Sequence, residues 1–299
     1  MIPAAVVTYH PDSAWPARLD AILREHSPIL LVDNSTTPDA RAFVAATIAN
    51  RPSITLHSLP DNPGIGAALN LAFATLAREG HAHAVAYDQD STPALGFATA
   101  LAATSAAHPH AAVIGANWSD PRRPDQPARF LRSAGPLGLC FRRTAATTDL
   151  SDLLCVITSG SLFDLKTWRD LGGFREDLFL DLVDTDYCLR ARRAEHDIVA
   201  CASAHLLHHR GEKRAVRLFG RDFFPAHAPA ARLRCLSRNR MLLFRSHRLR
   251  PLAWTAYELA YAVKLLVDAL LFETGKISRI NAMARGTWDG LLGRSGPLR

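Results

Sequence analysis

Along the first hundred residues, short continuous apolar runs alternate with stretches whose apolar residues recur every three to four positions. "AAVVTYHP", from Ala4 to Pro11, is β-branched and apolar enough for a buried strand that Pro11 closes. Trp15 to Glu25 has helical spacing, and "PILLVDNST" follows as a second strand ending in Asp33, Asn34 and Ser35. "AFVAATIAN" reads as the next helix, "ITLHSLPDN" as a strand, "IGAALNLAFATLAREG" as a helix stopped by Gly80, and "HAVAYDQDS" as a further strand. Strand and helix in regular alternation predict the α/β class, a mainly parallel sheet flanked by helices.

Further on the pattern loosens. Ala94 to Ala112 predicts a helix and "AAVIGANW" a strand, whereas Pro121–Pro127 and Arg142–Asp152 read as loops. "CVITSGSLFDL" resumes order with a tight backbone approach at Ser159, Gly160 and Ser161, and Lys166–Leu171 is a short helix stopped by Gly172 and Gly173.

The polar residues gather where the strands end: Thr8 and Tyr9, Asp33, Asp61 and Asn62, Asp88 and Asp90. In open α/β sheets that edge binds ligands. If the strand persists through "YDQD", alternation puts Asp88 and Asp90 on one face and turns Gln89 into the fold. Two carboxylates on one face repel each other or hold a cation; a polar strand end closed by a turn is the plainer alternative.

Charge changes the picture at the C-terminus. Residues 1–200 hold 17 lysines and arginines against 22 acids, whereas residues 201–299 hold 18 against 6. A basic end of this kind suits nucleic acid, an anionic membrane or a phosphorylated substrate. The five cysteines are scattered and odd in number, which excludes a disulfide framework and a CxxC metal site and fits a reducing cytosol. The N-terminus lacks the basic region and long apolar run of a secretory signal.

Three further stretches could carry chemistry. "NPGIGAALN", Asn62 to Asn70, sets two glycines before a helix, where backbone N–H groups attract phosphate, but lacks the third glycine of a dinucleotide fingerprint and any Walker lysine. "FLDLVDTDYCLRARR" concentrates Asp181, Asp184 and Asp186; helix capping accounts for the pattern, and so does a general base beside bound metal and sugar. "HLLHHRGEKR" offers His205, His208 and His209, of which His208 or His209 could complete a metal site begun by Asp90.

In their order and spacing, "VVTYHP", "LLVDNST", "DNPGIGAALN", "AYDQDSTP", "ITSGSLFDLKTWRDLGGFREDLFLDLVDTDYCLRARR", "HHRGEK" and "RLRCLSRNRMLL" resemble the family 2 glycosyltransferases of GT-A fold, most closely their bacterial rhamnosyltransferase branch. The resemblance implies a nucleotide-diphosphate sugar across the sheet edge. Thr8, Tyr9 and Asp33 match the positions holding base and ribose, Asn62 and Gly64 the segment against the nucleotide, and Asp88, Gln89 and Asp90 the DxD motif of the donor site. It implies Asp90 as direct metal ligand, Asp88 on the ribose or supporting the metal, His208 of an H-x-x-G element approaching metal or diphosphate, and Mg²⁺ or Mn²⁺ as cofactor. Asp184 matches the catalytic base, while Ser159, Gly160 and Asp181 fall in the acceptor or sugar pocket. Two positions depart from the family: Val183 precedes Asp184 where Glu is common, and Arg175 stands where an aspartate is usual.

The domain organisation implied is a GT-A domain over 1–215, with a nucleotide-binding half 1–115 and an acceptor half 116–215, and a basic helical region over 216–299. In the latter, 252–273 is a long apolar segment interrupted by Glu258, Lys264 and Asp268, too polar for a clean transmembrane span. Leu259, Val263, Leu266, Val267, Leu270 and Leu271 form one helical arc, suited to a core, a homodimer interface or a membrane surface. The implied activity is inverting transfer of L-rhamnose from dTDP-L-rhamnose to a cell-surface glycan or lipid-linked acceptor, in the cytoplasm or peripherally on the inner membrane face, without nucleic acid. Another nucleotide sugar (galactofuranose, glucose, N-acetylhexosamine), a polyanion-binding protein and a non-catalytic nucleotide-sugar binder are the rival readings.

Overall fold

A computed structural model describes residues 1–134, 140–209, 216–218, 221–223, 225 and 227–297. The chain divides into two compact units: 1–132, 143–179 and 183–209 form the first; 133–142, 180–182 and 210–299 form the second. A domain boundary at 215/216 lies outside the described residues.

The chain opens with β1 (Ala4–Thr8), α1 (Trp15–Glu25), β2 (Ile29–Asp33), α2 (Pro38–Ile48), β3 (Ile54–Ser58), α3 (Ile65–Arg78) and β4 (His83–Asp88). It continues through β5 (Ser91–Pro93), α4 (Phe97–Ala107), β6 (Ala111–Asp120), β7 (Arg123–Pro127), β8 (Arg129–Ala134), β9 (Cys140–Ala145), β10 (Leu153–Cys155) and β11 (Ser161–Asp164). α5 (Leu165–Asp170), α6 (Val183–Arg193) and β12 (Asp197–His208) follow. The main sheet runs in the order β3-β2-β1-β4-β11-β6-β12-β5, with β7 paired to β6. β1, β2, β3 and β4 are mutually parallel, β11 lies antiparallel between β4 and β6, and β5 is antiparallel to β12.

Every residue of β1 and β2 is buried, because helices cover both faces of a parallel strand, and this is why both read as unbroken apolar runs. Trp15, Leu19 and Ile22 of α1 join Leu31, Val85, Phe97, Leu101 and Ile114 in the core. Full burial of each such side chain contributes about 1.5–3 kcal/mol. Register then builds the functional edge. Thr8 lies opposite Asp33 and Val7 opposite Asp88, so the ends of β1, β2 and β4 come together. Cross-strand pairing of Ser91 with His208 brings β12 to the chain segment following β4.

Three expectations change. The helix expected over Ala94–Ala112 is confined to α4, and the loop expected over Pro121–Pro127 contains β7, whose backbone pairs Ser119 with Pro127. A strand bonded on one side accommodates prolines, which is why turn-like composition hid it. The loop expected over Arg142–Asp152 begins inside β9.

In the second unit β13 (Val216–Leu218) pairs with β14 (Arg221–Phe223), followed by α7 (Ala230–Ser246), α8 (Leu252–Leu271) and α9 (Lys276–Leu291). α7 and α9 approach so closely that a Cβ at Gly286 or Gly290 would overlap the Arg234 and Arg238 carbonyl oxygens. Among the described residues no helix is long and apolar enough to cross a membrane.

Candidate metal centre and its surroundings

β4 ends at Asp88, and Gln89 and Asp90 form a turn before β5. Strand alternation therefore does not hold the two carboxylates together. The turn does so, and β12 supplies a third group. Ligand atoms of Asp88, Asp90 and His208 lie within 4.8 Å of one another, a spacing that could hold a metal ion. Asp90 Oδ1 is buried 3.2 Å from His208 Nδ1 yet accepts no hydrogen bond. The ring nitrogen is bonded instead to Ser91 Oγ at 2.8 Å, so the carboxylate oxygen has a close neighbour without a donated proton. A buried carboxylate oxygen without a donor is costly unless a cation faces it. Two carboxylates and one imidazole suit Mg²⁺ or Mn²⁺ completed by phosphate oxygens.

Beneath these ligands runs a chain of hydroxyls. The Asp88 N–H donates to Ser159 Oγ at 2.9 Å, Ser159 Oγ lies 2.7 Å from Ser91 Oγ, and Ser91 Oγ reaches His208 Nδ1. Ser91 and Ser159 are buried, so both hydroxyls depend on this network. The contact with Ser91 Oγ fixes the orientation of the His208 ring through Nδ1, as the partner of a metal-binding histidine does. The His209 N–H donates to the Asp90 carbonyl, fastening the turn to the end of β12, while His205 is exposed; Gly211 of the H-x-x-G element lies outside the described residues. Ser159 thus lies under the candidate metal ligands. Gly160, at φ 73°, has the Leu206 side chain where a Cβ would sit, and serves close packing.

Gln89 does not enter the fold. Its amide bridges the Tyr9 backbone, accepting from Tyr9 N at 2.7 Å and donating to Tyr9 O at 3.1 Å, while Arg18 Nε donates to the Gln89 carbonyl. The turn geometry redirects a side chain that alternation would have turned inward. Tyr9 itself is exposed, its ring set edge-on to His10. Thr8 Oγ1 donates to buried Asp33 Oδ1, which also accepts from Ser35 N. Asn34, absent from the sequence-based assignment, links this strand end to the Gly64 carbonyl and keeps a buried Oδ1 without a hydrogen bond. Asn62 Oδ1 accepts from Gly64 N, and Gly64, at φ 99°, begins α3 against the Phe179 backbone, where no Cβ fits.

The acids of "DLVDTD" separate by environment. Asp184 is half-buried in the first turn of α6, its Oδ1 accepting from Thr185 N. Asp186 is buried and ion-paired to Arg190, whose other nitrogens donate to the Leu171 and Gly173 carbonyls, so it fastens the helix. Arg175, the departure from the family pattern, binds Asp177 and approaches Asp186 at 3.8 Å. Asp181 belongs to the second unit, where Arg232 pairs with it at 2.8 Å. Burial pushes the Cys188 thiol up to about 12, which excludes it as a nucleophile at neutral pH.

No protein-family profile matches the chain. A dTDP-rhamnosyl transferase, RfbF of Shigella flexneri, is 24% identical over 295 residues, covering 98% of this chain and 96% of that protein. Among solved structures, the mannosyltransferase PcManGT from Pyrobaculum calidifontis, in complex with GDP-Man and Mn²⁺, superposes with a TM-score of 0.58 at 15% identity, covering 98% of this chain and 87% of that one. GalNAc-T7 with UDP, GalNAc and Mn²⁺ gives 0.57 at 9% identity; 88% of this chain is matched, and it spans only 57% of that longer protein. These likenesses establish the GT-A fold that the motifs imply.

Proposed function

We propose that the protein is an inverting, divalent-cation-dependent glycosyltransferase that moves L-rhamnose from dTDP-L-rhamnose to a glycan or lipid-linked acceptor of the cell surface. The observation that carries the transferase reading is the Asp88–Asp90–His208 group, with its donor-less Asp90 oxygen, at the strand ends of a GT-A sheet. The rhamnosyl part rests on the resemblance to RfbF, which extends over nearly the whole of both chains.

In this reading Thr8, Tyr9 and Asp33 hold base and ribose, with Asn62 and Gly64 against the nucleotide and Gln89 fixing the Tyr9 backbone. Asp88, Asp90 and His208 hold the cation, which when bound supplies Lewis-acid neutralisation of the departing diphosphate. Asp184 takes the proton of the acceptor hydroxyl as that oxygen attacks C1 from the face opposite the diphosphate; the C1–O bond to phosphate breaks as the new glycosidic bond forms.

Incubation of the purified protein with labelled dTDP-L-rhamnose, Mn²⁺ and a panel of acceptors tests the proposal. Label is expected in the acceptor. Turnover of UDP-hexoses in place of dTDP-L-rhamnose would remove the rhamnosyl assignment and keep the transferase. Donor binding without turnover across the panel would mark a non-catalytic binder, and salt-sensitive affinity for random DNA without any nucleotide-sugar binding would favour the polyanion reading.

A further inference from the structure

We infer that the second unit carries a docking surface for an anionic lipid bilayer, formed by the outward faces of α8 and α9. Residues 227–297 contain four acids, Glu258, Asp268, Glu273 and Asp289, and all four are buried. Each is spent internally. Glu258 pairs with Arg240, Asp268 with Lys264, Glu273 with His227 and Arg279, and Asp289 with Arg234 and Arg294. No carboxylate of this stretch is exposed, whereas Arg245, Arg248, Arg250, Lys264, Lys276 and Arg285 are.

The same helices expose their apolar side chains. Leu259, Val263, Leu266, Val267, Leu270 and Leu271 form the arc on α8, with Val263 61% and Leu271 62% accessible. On α9, Ile277 is 77% and Trp288 61% accessible, and Leu291 and the following Leu292 are exposed as well. Most of the large exposed apolar side chains of the described chain thus fall in these two helices. Isolated exposed leucines need no explanation, but an apolar arc on α8 in a stretch, 227–297, whose exposed charged side chains are all basic is the make-up of an interfacial helix. α8 cannot span a bilayer, so the contact lies in the plane of the surface. A second copy of this chain would bring the same cations to the contact, whereas anionic headgroups neutralise them.

This inference stands apart from the donor and the sugar. Its test is co-sedimentation of the full chain with phosphatidylcholine vesicles and with vesicles that also contain phosphatidylglycerol, at low and high salt. Binding is expected to the anionic vesicles, weakened by salt. Val263→Gln, Leu266→Gln and Leu270→Gln combined are expected to lower the partition coefficient at least about tenfold, with the melting temperature unchanged because all three are exposed. Lys276→Glu with Arg285→Glu is expected to weaken binding to anionic vesicles only. The inference is overturned if the protein stays in the supernatant with both vesicle types or if the triple variant binds like the parent. It is equally overturned if sedimentation velocity finds a dimer that the triple variant dissociates while vesicles bind neither.

Discussion

The sheet edge of the first unit and the helices of the second treat charge in opposite ways. At the edge, Asp90 is left with a buried oxygen that accepts no hydrogen bond, beside Asp88 and His208. In the helices, each of the four buried acids faces an arginine or a lysine, Glu273 through Arg279 even though its Oε1 beside His227 accepts no hydrogen bond, and the exposed surface keeps the cations and the apolar residues. Charge that a fold leaves uncompensated marks where a ligand must complete it; charge that a fold compensates internally holds the chain together. The first kind makes chemistry and the second makes architecture, so substitutions at the two places should be felt by different measurements.

The largest effect should fall on rate. Asp184→Asn is expected to lower sugar transfer about 10²–10⁴-fold while leaving donor affinity and melting temperature near the parent's. A parallel loss of donor affinity in a binding titration would make Asp184 structural. Next, Glu258→Ala leaves Arg240 as an unpaired buried cation and is expected to cost about 3–5 kcal/mol in urea denaturation. A loss within about 0.5 kcal/mol would erase the contrast between the two regions.

A third effect sharpens the contrast inside the first unit. His26 is buried with Nε2 on the Tyr87 hydroxyl, and burial lowers its pKa to about 4. The folded protein keeps this ring neutral, whereas the unfolded chain takes a proton below about 6.5, so the stability is complete above that pH and lost as pH falls towards 4. Between pH 7 and 5 the loss from this group is on the order of 2 kcal/mol, and His26→Gln should flatten the stability profile across that window. The smallest effect concerns the hydroxyl chain. Ser91→Ala should weaken Mn²⁺ binding about 10–100-fold in calorimetry by releasing His208 Nδ1, at a stability cost of about 1–3 kcal/mol for the buried groups it leaves unpartnered.

Much of this was legible before the structure. β1, β2 and β4 are legible as apolar runs because burial on both faces demands it, α3 through its periodicity and terminal Gly80, and α6 through the acids at its start and the arginines at its end. Asp88 and Asp90 are legible as a pair, but a turn joins them rather than the alternation of a continued strand. Ser91, Arg18 and Asn34 were missed as supports of the site, because their roles depend on partners between 30 and 117 positions away. Gln89 was misdirected for the same reason. β7 was hidden by its prolines. The apolar arc of α8 was visible in the sequence, but periodicity reports only that one face is apolar, and exposure of that face is a property of the packed unit.

The central claim, that Asp88, Asp90 and His208 hold a cation joining this chain to a nucleotide sugar, is tested most directly by thermal shift with dTDP-L-rhamnose and Mn²⁺, separately and together, on the parent and on Asp90→Asn. The parent's melting temperature should rise most with both present, with no such joint rise in Asp90→Asn, whose ligand-free melting temperature matches the parent's. An equal joint rise in both proteins, or none in either with any nucleotide sugar, would contradict it.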